Sequence, residues 1–360
     1  MFFTIILILL VTIIGLNILY YSRKLKPYNQ RPLDIKTFDG SNSPYHPSVA
    51  YFKNGWNGYK YWMVETPFSP KSKPYMDRNE CPSIHVSNDG YHWCEIARNP
   101  IDDLSLTEIE QLDYFSDPHL VYANGNLECW YRLTHRNGIY NNFENLQLIR
   151  KCSSNGIQWS DREIMVNLAE IEGDALGNMV VSPAIIYKKG KYRMWYVNSE
   201  SREQRGLSYS ESADGHKWEK TIGCTLQGAG NNPWHIDVNY IDGKYILLSY
   251  DFKDITLWES DNGINFKFVK LILTPSIPGS FYGDSLYRAC IIKDTLYKVY
   301  FSCSDFFCTH IGLLEGKNIN EMSVKPSKKH LSPIDITIFL IRKKICSAIF
   351  ITKTIIKRLK

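Results

Sequence analysis

The chain repeats one pattern five times, and this repetition constrains the fold more than any other feature. Each copy has a short apolar first strand, a turn and a second strand, and in four copies the first strand ends in a tyrosine. The copies follow one another at about 50 to 70 residues, which suits one four-stranded blade plus loops. The sequence therefore predicts an all-β fold, a five-bladed β-propeller over residues 41–325. The first strands open at His46, Asp117, Ser182, His235 and Tyr287.

A second element recurs late in four of the copies. It contains Asp-Gly or Asn-Gly, followed three residues after the glycine by an aromatic residue. Asx-Gly supplies the positive φ angles of a tight two-residue hairpin turn, and the aromatic side chain packs the outer strand. We therefore interpret these acidic turns as structural. They are Ser87–Trp93, Ser153–Trp159, Ser212–Trp218 and Ser260–Phe266.

Two appendages flank the predicted propeller. Residues 2–21 form an uncharged run long enough to cross a bilayer, and residues 22–40 form a juxtamembrane linker. Positive charges follow that run and none precedes it, so the positive-inside tendency keeps the propeller cytoplasmic. Residues 334–360 have apolar residues at helical spacing and seven basic residues. This pattern predicts a basic amphipathic helix that associates with a membrane, with a helix docked on the domain as the alternative.

The charge distribution and the cysteine pattern restrict the possible partners and the cellular location. The chain has 42 Lys and Arg against 37 Asp and Glu, but the first 31 residues hold four bases and the last 27 hold seven bases and one acid. The middle is left with 31 bases and 36 acids, which argues against nucleic acid as a partner. The nine cysteines show no CxxC pair, which favours reduced thiols and a cytoplasmic location.

Propeller topology predicts where the chemistry lies. The start of each first strand lies at one end of the central axis, so the five opening residues should form a ring there. Residues two positions further share a strand face with them and include His119 and Asp237. Buried charge is costly unless it is paired, so a ring rich in His and Asp favours a functional pocket over core filling.

Other strand ends should reach the same pocket. Glu65 and Arg132 end second strands, and Glu80 begins the third strand of blade one. Arg132 and Arg288 could hold a carboxylate or phosphate through their forked donors. The tryptophans of the second strands are more consistent with wedge packing, whereas Trp234, beside His235, is a candidate for stacking on a sugar ring.

The sequence Ser116-Asp117-Pro118-His119, within five blades, resembles the five-bladed glycosidases of families 32, 43, 62 and 68. The resemblance covers roughly residues 44–314. It implies an Asp at the opening of blade one, an orienting Asp in blade two and an acid Glu at blade three, with two carboxyl groups across the scissile bond. Asp117 matches the orienting acid. His46 and Ser182 stand where the other two acids are expected.

The sequence therefore suggests Asp117, Glu80 and His46 as catalytic residues. Glu172 or Asp174 could replace the blade-three acid, or activity could be lost. No ligand spacing singles out a metal, so neither a metal nor another cofactor is predicted. A metal held by His46, His119, His235 and Asp237 is the rival interpretation. The predicted substrate-binding residues are His119, Arg132, Ser182, Trp234, His235, Asp237 and Arg288.

Two functions remain open at this point. One is a membrane-tethered, glycan-active hydrolase or transferase that acts on a cell-envelope or capsular polysaccharide or its lipid-linked precursor. The other is a non-catalytic carbohydrate-binding or scaffold propeller. The missing acids of blades one and three favour the second function. The polar ring predicts a carbohydrate ligand in both cases.

Overall fold

A computed structural model describes residues 31–68, 80–139, 145–168, 180–199, 205–228, 232–275, 281–305 and 308–324, together with residues 11, 15 and 176. The predicted membrane anchor, apart from residues 11 and 15, and the predicted C-terminal helix lie outside these residues. In the part of the chain that is described, no helix has the length and apolar character needed to cross a membrane.

The described residues form five antiparallel sheets, each made of four consecutive strands except for one added strand in the fourth sheet. The predicted five-bladed propeller is confirmed. Blade one comprises β1 (Pro44–Trp56), β2 (Tyr59–Pro67), β3 (Ser83–Ser87) and β4 (Cys94–Glu95). Blade two comprises β5 (Tyr114–Ala123), β6 (Asn126–His135), β7 (Asn145–Ser153) and β8 (Glu163–Asn167). Blade three comprises β9 (Val181–Lys188), β10 (Lys191–Ser199), β11 (Arg205–Ser212) and β12 (Ile222–Gly223).

The last two blades follow the same order. Blade four comprises β14 (His235–Ile241), β15 (Lys244–Tyr250), β16 (Ile255–Ser260) and β17 (Asn265–Leu273), and β13 (Thr225–Gln227) pairs in parallel with β17. Blade five comprises β18 (Ser285–Lys293), β19 (Tyr297–Ser304), β20 (Thr309–Gly316) and β21 (Ser323–Val324). The described helices are short: α1 (Leu106–Glu110) between blades one and two, and a 3₁₀ turn at Ile319–Glu321.

The ring closes between its last and first blades. The Leu33 N–H donates to the carbonyl of Ile311 in β20 at 2.9 Å, and the Thr309 hydroxyl donates to the carbonyl of Ser43 at 3.0 Å. At the axis, the backbone N–H of His46 donates to Ser302 Oγ of β19 at 2.9 Å. Chain that precedes blade one is thus fixed to blade five.

The Asx-Gly element joins the third and fourth strands of a blade, but not as the predicted two-residue turn. In blade one, β3 ends at Ser87 and β4 begins at Cys94, so the loop has six residues. Ser87 Oγ accepts from the N–H of Gly90, and Asp89 Oδ1 accepts from two following N–H groups. Only the glycine of the Asx-Gly pair has a positive φ, 75°. The side chains of the loop therefore replace the hydrogen bonds of a tight turn.

The glycine of each such loop lies against an aromatic side chain of the preceding blade. A Cβ added at Gly156 of blade two would lie 2.0 Å from Trp62 Cζ3 of blade one. The same relation holds for Gly215 with Trp130 and for Gly263 with Trp195. The three indoles are fully buried, which supports the packing role predicted for them.

Candidate active site at the propeller axis

Three of the predicted opening residues adopt the same unusual backbone conformation. His46, Asp117 and Ser182 have φ angles of 51°, 53° and 51°, and each precedes a proline. At each of them the pairing of the first and second strands shifts register. A left-handed φ at a non-glycine residue is strained, and such strain clusters at functional sites. The X-Pro dipeptide is thus the sequence signal for residues that bulge from the strand at one end of the axis.

His46, Asp117 and His235 come together at that end. Each offers one nitrogen or oxygen atom, and these atoms lie within 4.8 Å of one another. The three residues are nearly inaccessible to solvent, at 2%, 1% and 4% exposure. Among the described residues, His46 Nε2, Asp117 Oδ1 and both ring nitrogens of His235 have no hydrogen-bond partner. Buried polar atoms are rarely left without a partner, and four of those recorded in the described residues lie together in this cluster.

The carboxylate of Asp117 is held through its other oxygen. Asp117 Oδ2 accepts from Arg132 Nη1 at 2.8 Å and from the backbone N–H of Ser182 at 3.0 Å. Asp117 Oδ1 lies 3.3 Å from His235 Nδ1. Burial opposes ionisation, but the contact with His235 and the charge of Arg132 hold the pKa of Asp117 well below its usual range. Asp117 is therefore an oriented carboxylate with one oxygen directed into the cluster.

His46 is oriented from the opposite side. Its Nδ1 lies 3.1 Å from the hydroxyl of Thr66 and 3.6 Å from Glu80 Oε2. Burial lowers the pKa of His46 to about 3, so the ring is neutral at physiological pH. A neutral imidazole whose Nδ1 is occupied by Thr66 presents Nε2 as the atom available to a ligand.

Glu80 is the second carboxyl group of this site. Burial, and after it the charge of Asp117, raises the pKa of Glu80 to about 8. Glu80 also has a positive φ, 68°, and its N–H donates to the carbonyl of Pro67 at 2.9 Å. The site thus combines an anchored carboxylate with a second carboxyl group that exchanges a proton near neutral pH.

An aromatic wall borders the cluster. The Tyr287 ring lies 4.1 Å from the His235 ring and 5.2 Å from the His46 ring, centroid to centroid. Trp234 Nε1 donates to the Tyr287 hydroxyl at 3.3 Å, and the Trp234 indole stacks on Phe252. The half-exposed Phe252 carries this wall to the surface beside the site.

The structure divides the predicted site residues into two groups. His46, Asp117, Ser182, His235, Glu80, Arg132 and Trp234 surround the cluster. His119, Asp237 and Arg288 do not join them. Arg288 crosses the axis, donating to the carbonyls of Pro118 and Pro183 at 2.9 and 3.1 Å. His119 and Asp237 line a separate cavity.

Sequence reasoning also missed one residue and misplaced another. Glu65, predicted to reach the pocket, is fully buried and pairs with His85 Nε2 at 3.1 Å. Its neighbour Thr66 contacts His46 instead. Thr66 pairs with Tyr45 across β1 and β2, immediately before the bulge. Neighbouring side chains in a strand point to opposite faces, so Thr66 faces the site if Glu65 does not. This alternation is the sequence signal that would have identified Thr66.

The cluster fits a divalent metal ion. Imidazole nitrogens and a carboxylate are the donors that Zn²⁺ and neighbouring transition metals prefer, and three protein ligands with an open position are typical of catalytic zinc sites. The unpartnered atoms of His46, Asp117 and His235 supply such a set. This trio differs from the rival metal set offered by the sequence, because Asp117 takes part while His119 and Asp237 lie elsewhere.

Fold and site together define a five-bladed β-propeller with a cluster at its axis that fits a metal ion. No protein-family model matches the chain. The A type blood N-acetyl-α-D-galactosamine deacetylase of Flavonifractor plautii is 25% identical over 298 residues, covering 68% of this chain and 37% of the relative. The chain thus matches little more than a third of that protein.

Solved structures show the same fold. The N-acetylgalactosamine deacetylase of F. plautii, in complex with blood group B trisaccharide, has a TM-score of 0.64 and 21% identity, covering 80% of this chain and 95% of that one. A family 43 β-xylosidase/α-arabinofuranosidase from a compost microbial metagenome has a TM-score of 0.56 and 13% identity, covering 86% and 98%. The predicted relation to family 43 propellers is confirmed at the level of the fold.

Proposed function

We propose that this protein is a metal-dependent hydrolase that removes the acetyl group from an N-acetylated amino sugar of a glycan. The observation that carries the proposal is the cluster of His46, Asp117 and His235, with buried, unpartnered ligand atoms and Glu80 beside it. Amide hydrolysis at a three-ligand metal site with an adjacent carboxyl group is well precedented chemistry. The likeness to a deacetylase supports this choice of substrate.

The side chains of the site have separate roles in the proposed reaction. Asp117, held by Arg132 and Ser182, and the two histidines would hold a divalent metal, which when bound activates water and polarises a carbonyl. In its ionised form Glu80 accepts a proton from the attacking water and delivers it to the leaving amine. The amide C–N bond breaks as a C–O bond forms, which gives acetate and a free amino sugar. The aromatic wall of Tyr287 and Trp234 provides a face for the sugar ring.

Glycoside hydrolysis, the activity implied by the sequence resemblance, is less well supported. It requires two carboxyl groups across the scissile bond. The blade-one and blade-three positions hold His46 and Ser182, and the Ser182 N–H binds Asp117. In this proposal Asp117 belongs to the metal-binding cluster, so Glu80 is the carboxyl group that remains among the described residues around it. Glu172 and Asp174, the other candidates from the sequence, lie outside the described residues.

Removal of the metal tests the function directly. Dialysis of the purified full-length protein against a chelator should abolish acetate release from N-acetylgalactosamine-containing oligosaccharides, and added Zn²⁺ or Mn²⁺ should restore it. Acetate is measured by a coupled assay and bound metal by elemental analysis. Chelator-insensitive release of sugar instead of acetate would establish a glycosidase. Binding of glycans without release of either product would establish the carbohydrate-binding alternative.

Thr66 is expected to act as a positioning residue for His46. Thr66→Val keeps the side-chain shape and removes the hydroxyl 3.1 Å from Nδ1. Loss of such an outer-shell partner typically costs about 10- to 100-fold in metal affinity. Metal affinity is measured by competition with a fluorescent chelator. Thr134→Val is the matched control, because its hydroxyl is buried without a hydrogen-bond partner among the described residues. Equal affinities of the two variants would contradict the role of Thr66.

We also propose that the protein works at a membrane, with a cytoplasmic propeller acting on a cell-envelope or capsular polysaccharide or its lipid-linked precursor. Support comes from the uncharged run at residues 2–21 and the basic pattern at residues 334–360. The full-length protein should remain in the membrane pellet after carbonate extraction. Deletion of residues 1–21 should release it from carbonate-treated membranes. Recovery of the full-length protein in the supernatant would contradict the anchor.

A further inference from the structure

A second cavity lies on the propeller axis, on the other side of Arg288 from the candidate active site. Its volume is about 650 Å³, and the inner strands of all five blades line it. Ligand pockets commonly measure about 300 to 1,000 Å³, so the cavity has the size of a small-molecule site. Arg288, which is 1% exposed and bonded to Pro118 and Pro183, separates it from the metal cluster.

Polar side chains form the inner end of this cavity. His119 Nε2 donates to the carbonyl of Ile185 at 3.0 Å, so Nδ1 is an acceptor, and it lies 3.4 Å from both Ser48 Oγ and Arg288 Nη2. Asp237 Oδ2 accepts from the N–H of Ile291 at 3.0 Å. Asp237 Oδ1 lies 3.8 Å from His119 Nδ1, and no hydrogen-bond donor from the described residues reaches it. The Ser48 hydroxyl lies at the same end and accepts from the N–H of Leu120 at 3.0 Å.

Tyrosines surround the opening of the cavity. They stand three positions after the Ser48, His119, Ala184 and Asp237 positions of blades one to four, where the repeat pattern places its aromatic residue. Two of them, Tyr122 and Tyr240, are 43% and 37% exposed. The proposed active site uses none of these rings. The four are Tyr51, Tyr122, Tyr187 and Tyr240.

The charges at the opening largely cancel. Lys293 pairs with Asp242, and Asp294 pairs with Lys298 at 2.6 Å, which leaves the exposed Lys53 and also Lys188, whose ammonium lies 2.9 Å from the centre of the Tyr240 ring. A neutral ligand therefore fits better than an ion. Aromatic faces around a polar floor of hydroxyl, imidazole and carboxyl groups match a molecule that carries both apolar C–H faces and several hydroxyl groups.

We propose that this axial cavity is a second carbohydrate-binding site, which takes a sugar residue away from the site of hydrolysis. Tyrosine rings contact the faces of the sugar, and Asp237 and Ser48 bind its hydroxyl groups. The inference does not depend on the metal or on deacetylation. A site of this kind gives the protein two contacts with one polymeric glycan, which raises the effective concentration of substrate at the active site.

Ligand-observed NMR on the full-length protein tests the inference. The probes are galactose, N-acetylgalactosamine, N-acetylglucosamine and blood group B trisaccharide. At least one probe is expected to bind the His235→Ala variant, whose active-site cluster is broken. In that background, Tyr122→Ala with Tyr240→Ala, and separately Asp237→Asn, should weaken binding by about tenfold or more, the effect of losing one good polar or aromatic contact.

Ile157→Ala is the control, because Ile157 is a similarly exposed apolar residue in the Asx-Gly loop of blade two, outside both sites. It should leave affinity for the axial cavity unchanged. The inference is overturned if no probe binds the His235→Ala variant, or if the tyrosine and Asp237 variants bind as tightly as their parent. Acetate release by the unmodified protein is measured separately, so failure of the deacetylase proposal is distinguishable from failure of this one.

Discussion

Replacing His235 with alanine is expected to reduce acetate release by at least about 100-fold and to remove the bound metal. Loss of an outer-shell partner of a metal ligand already lowers metal affinity or activity by about 10- to 100-fold. Loss of a ligand itself should lower them further. Neither ring nitrogen of His235 has a well-aligned hydrogen bond to a described residue, and Asp117, 3.3 Å from its Nδ1, keeps its bonds to Arg132 and Ser182 after the substitution. The folded protein should therefore persist while the site is lost. Metal content, acetate release and thermal unfolding are measured on the same preparation.

Two further variants make this result specific. His216→Ala removes a half-exposed histidine that bonds to Glu163 far from the axis, and it should leave metal content and activity intact. Asp117→Asn should lose activity and also stability, because it leaves the buried Arg132 without its counter-charge, a change that typically costs about 3 to 5 kcal/mol. Full activity of His235→Ala after metal removal would contradict the proposed function.

Replacing Gly156 with alanine is expected to lower the free energy of unfolding by about 2 to 5 kcal/mol. Part of the loss, about 1 to 2 kcal/mol, comes from placing a Cβ at a φ of 75°. The rest comes from overpacking, since that Cβ would lie 2.0 Å from the fully buried Trp62 of the neighbouring blade. Urea denaturation followed by tryptophan fluorescence measures the difference.

The chain offers a closely matched control for this prediction. Gly190, in the turn between β9 and β10, also has a φ of 75°, but nothing lies within 4 Å of an added Cβ. Gly190→Ala should therefore show the backbone cost alone. Equal losses in the two variants would mean that contact between blades contributes nothing at the Asx-Gly loops, against the packing observed there.

The fold could be predicted from the sequence because each repeat is one blade and carries the same local signals. The ring of opening residues followed from that register, and it correctly brought together His46, Asp117 and His235. The repeat register did not predict that His119 and Asp237 would lie apart from this cluster. Strand alternation assumed unbroken first strands, whereas the X-Pro bulges at residues 46, 117 and 182 shift the register there.

Other features depend on side chains that meet only in three dimensions. Arg288 closes the axis by reaching from blade five to the backbone of blades two and three. No pattern within one repeat specifies a contact between two residues that are 170 positions apart in the sequence. The same holds for the cluster of His46, Asp117 and His235. Its three members come from blades one, two and four, and their convergence depends on how the blades are arranged around the axis.

Closure of the ring by Leu33 and Ile311 has a consequence for biosynthesis. The N-terminus leaves the ribosome first, so the early blades can form before blade five, which closes the ring, has been synthesised. Contacts between such distant segments carry a high loop-closure entropy and make folding slow. The proposed active site is therefore expected to assemble only after the last repeat has emerged, in a single late step. Translation pauses or truncations that omit blade five should yield chains without partial activity.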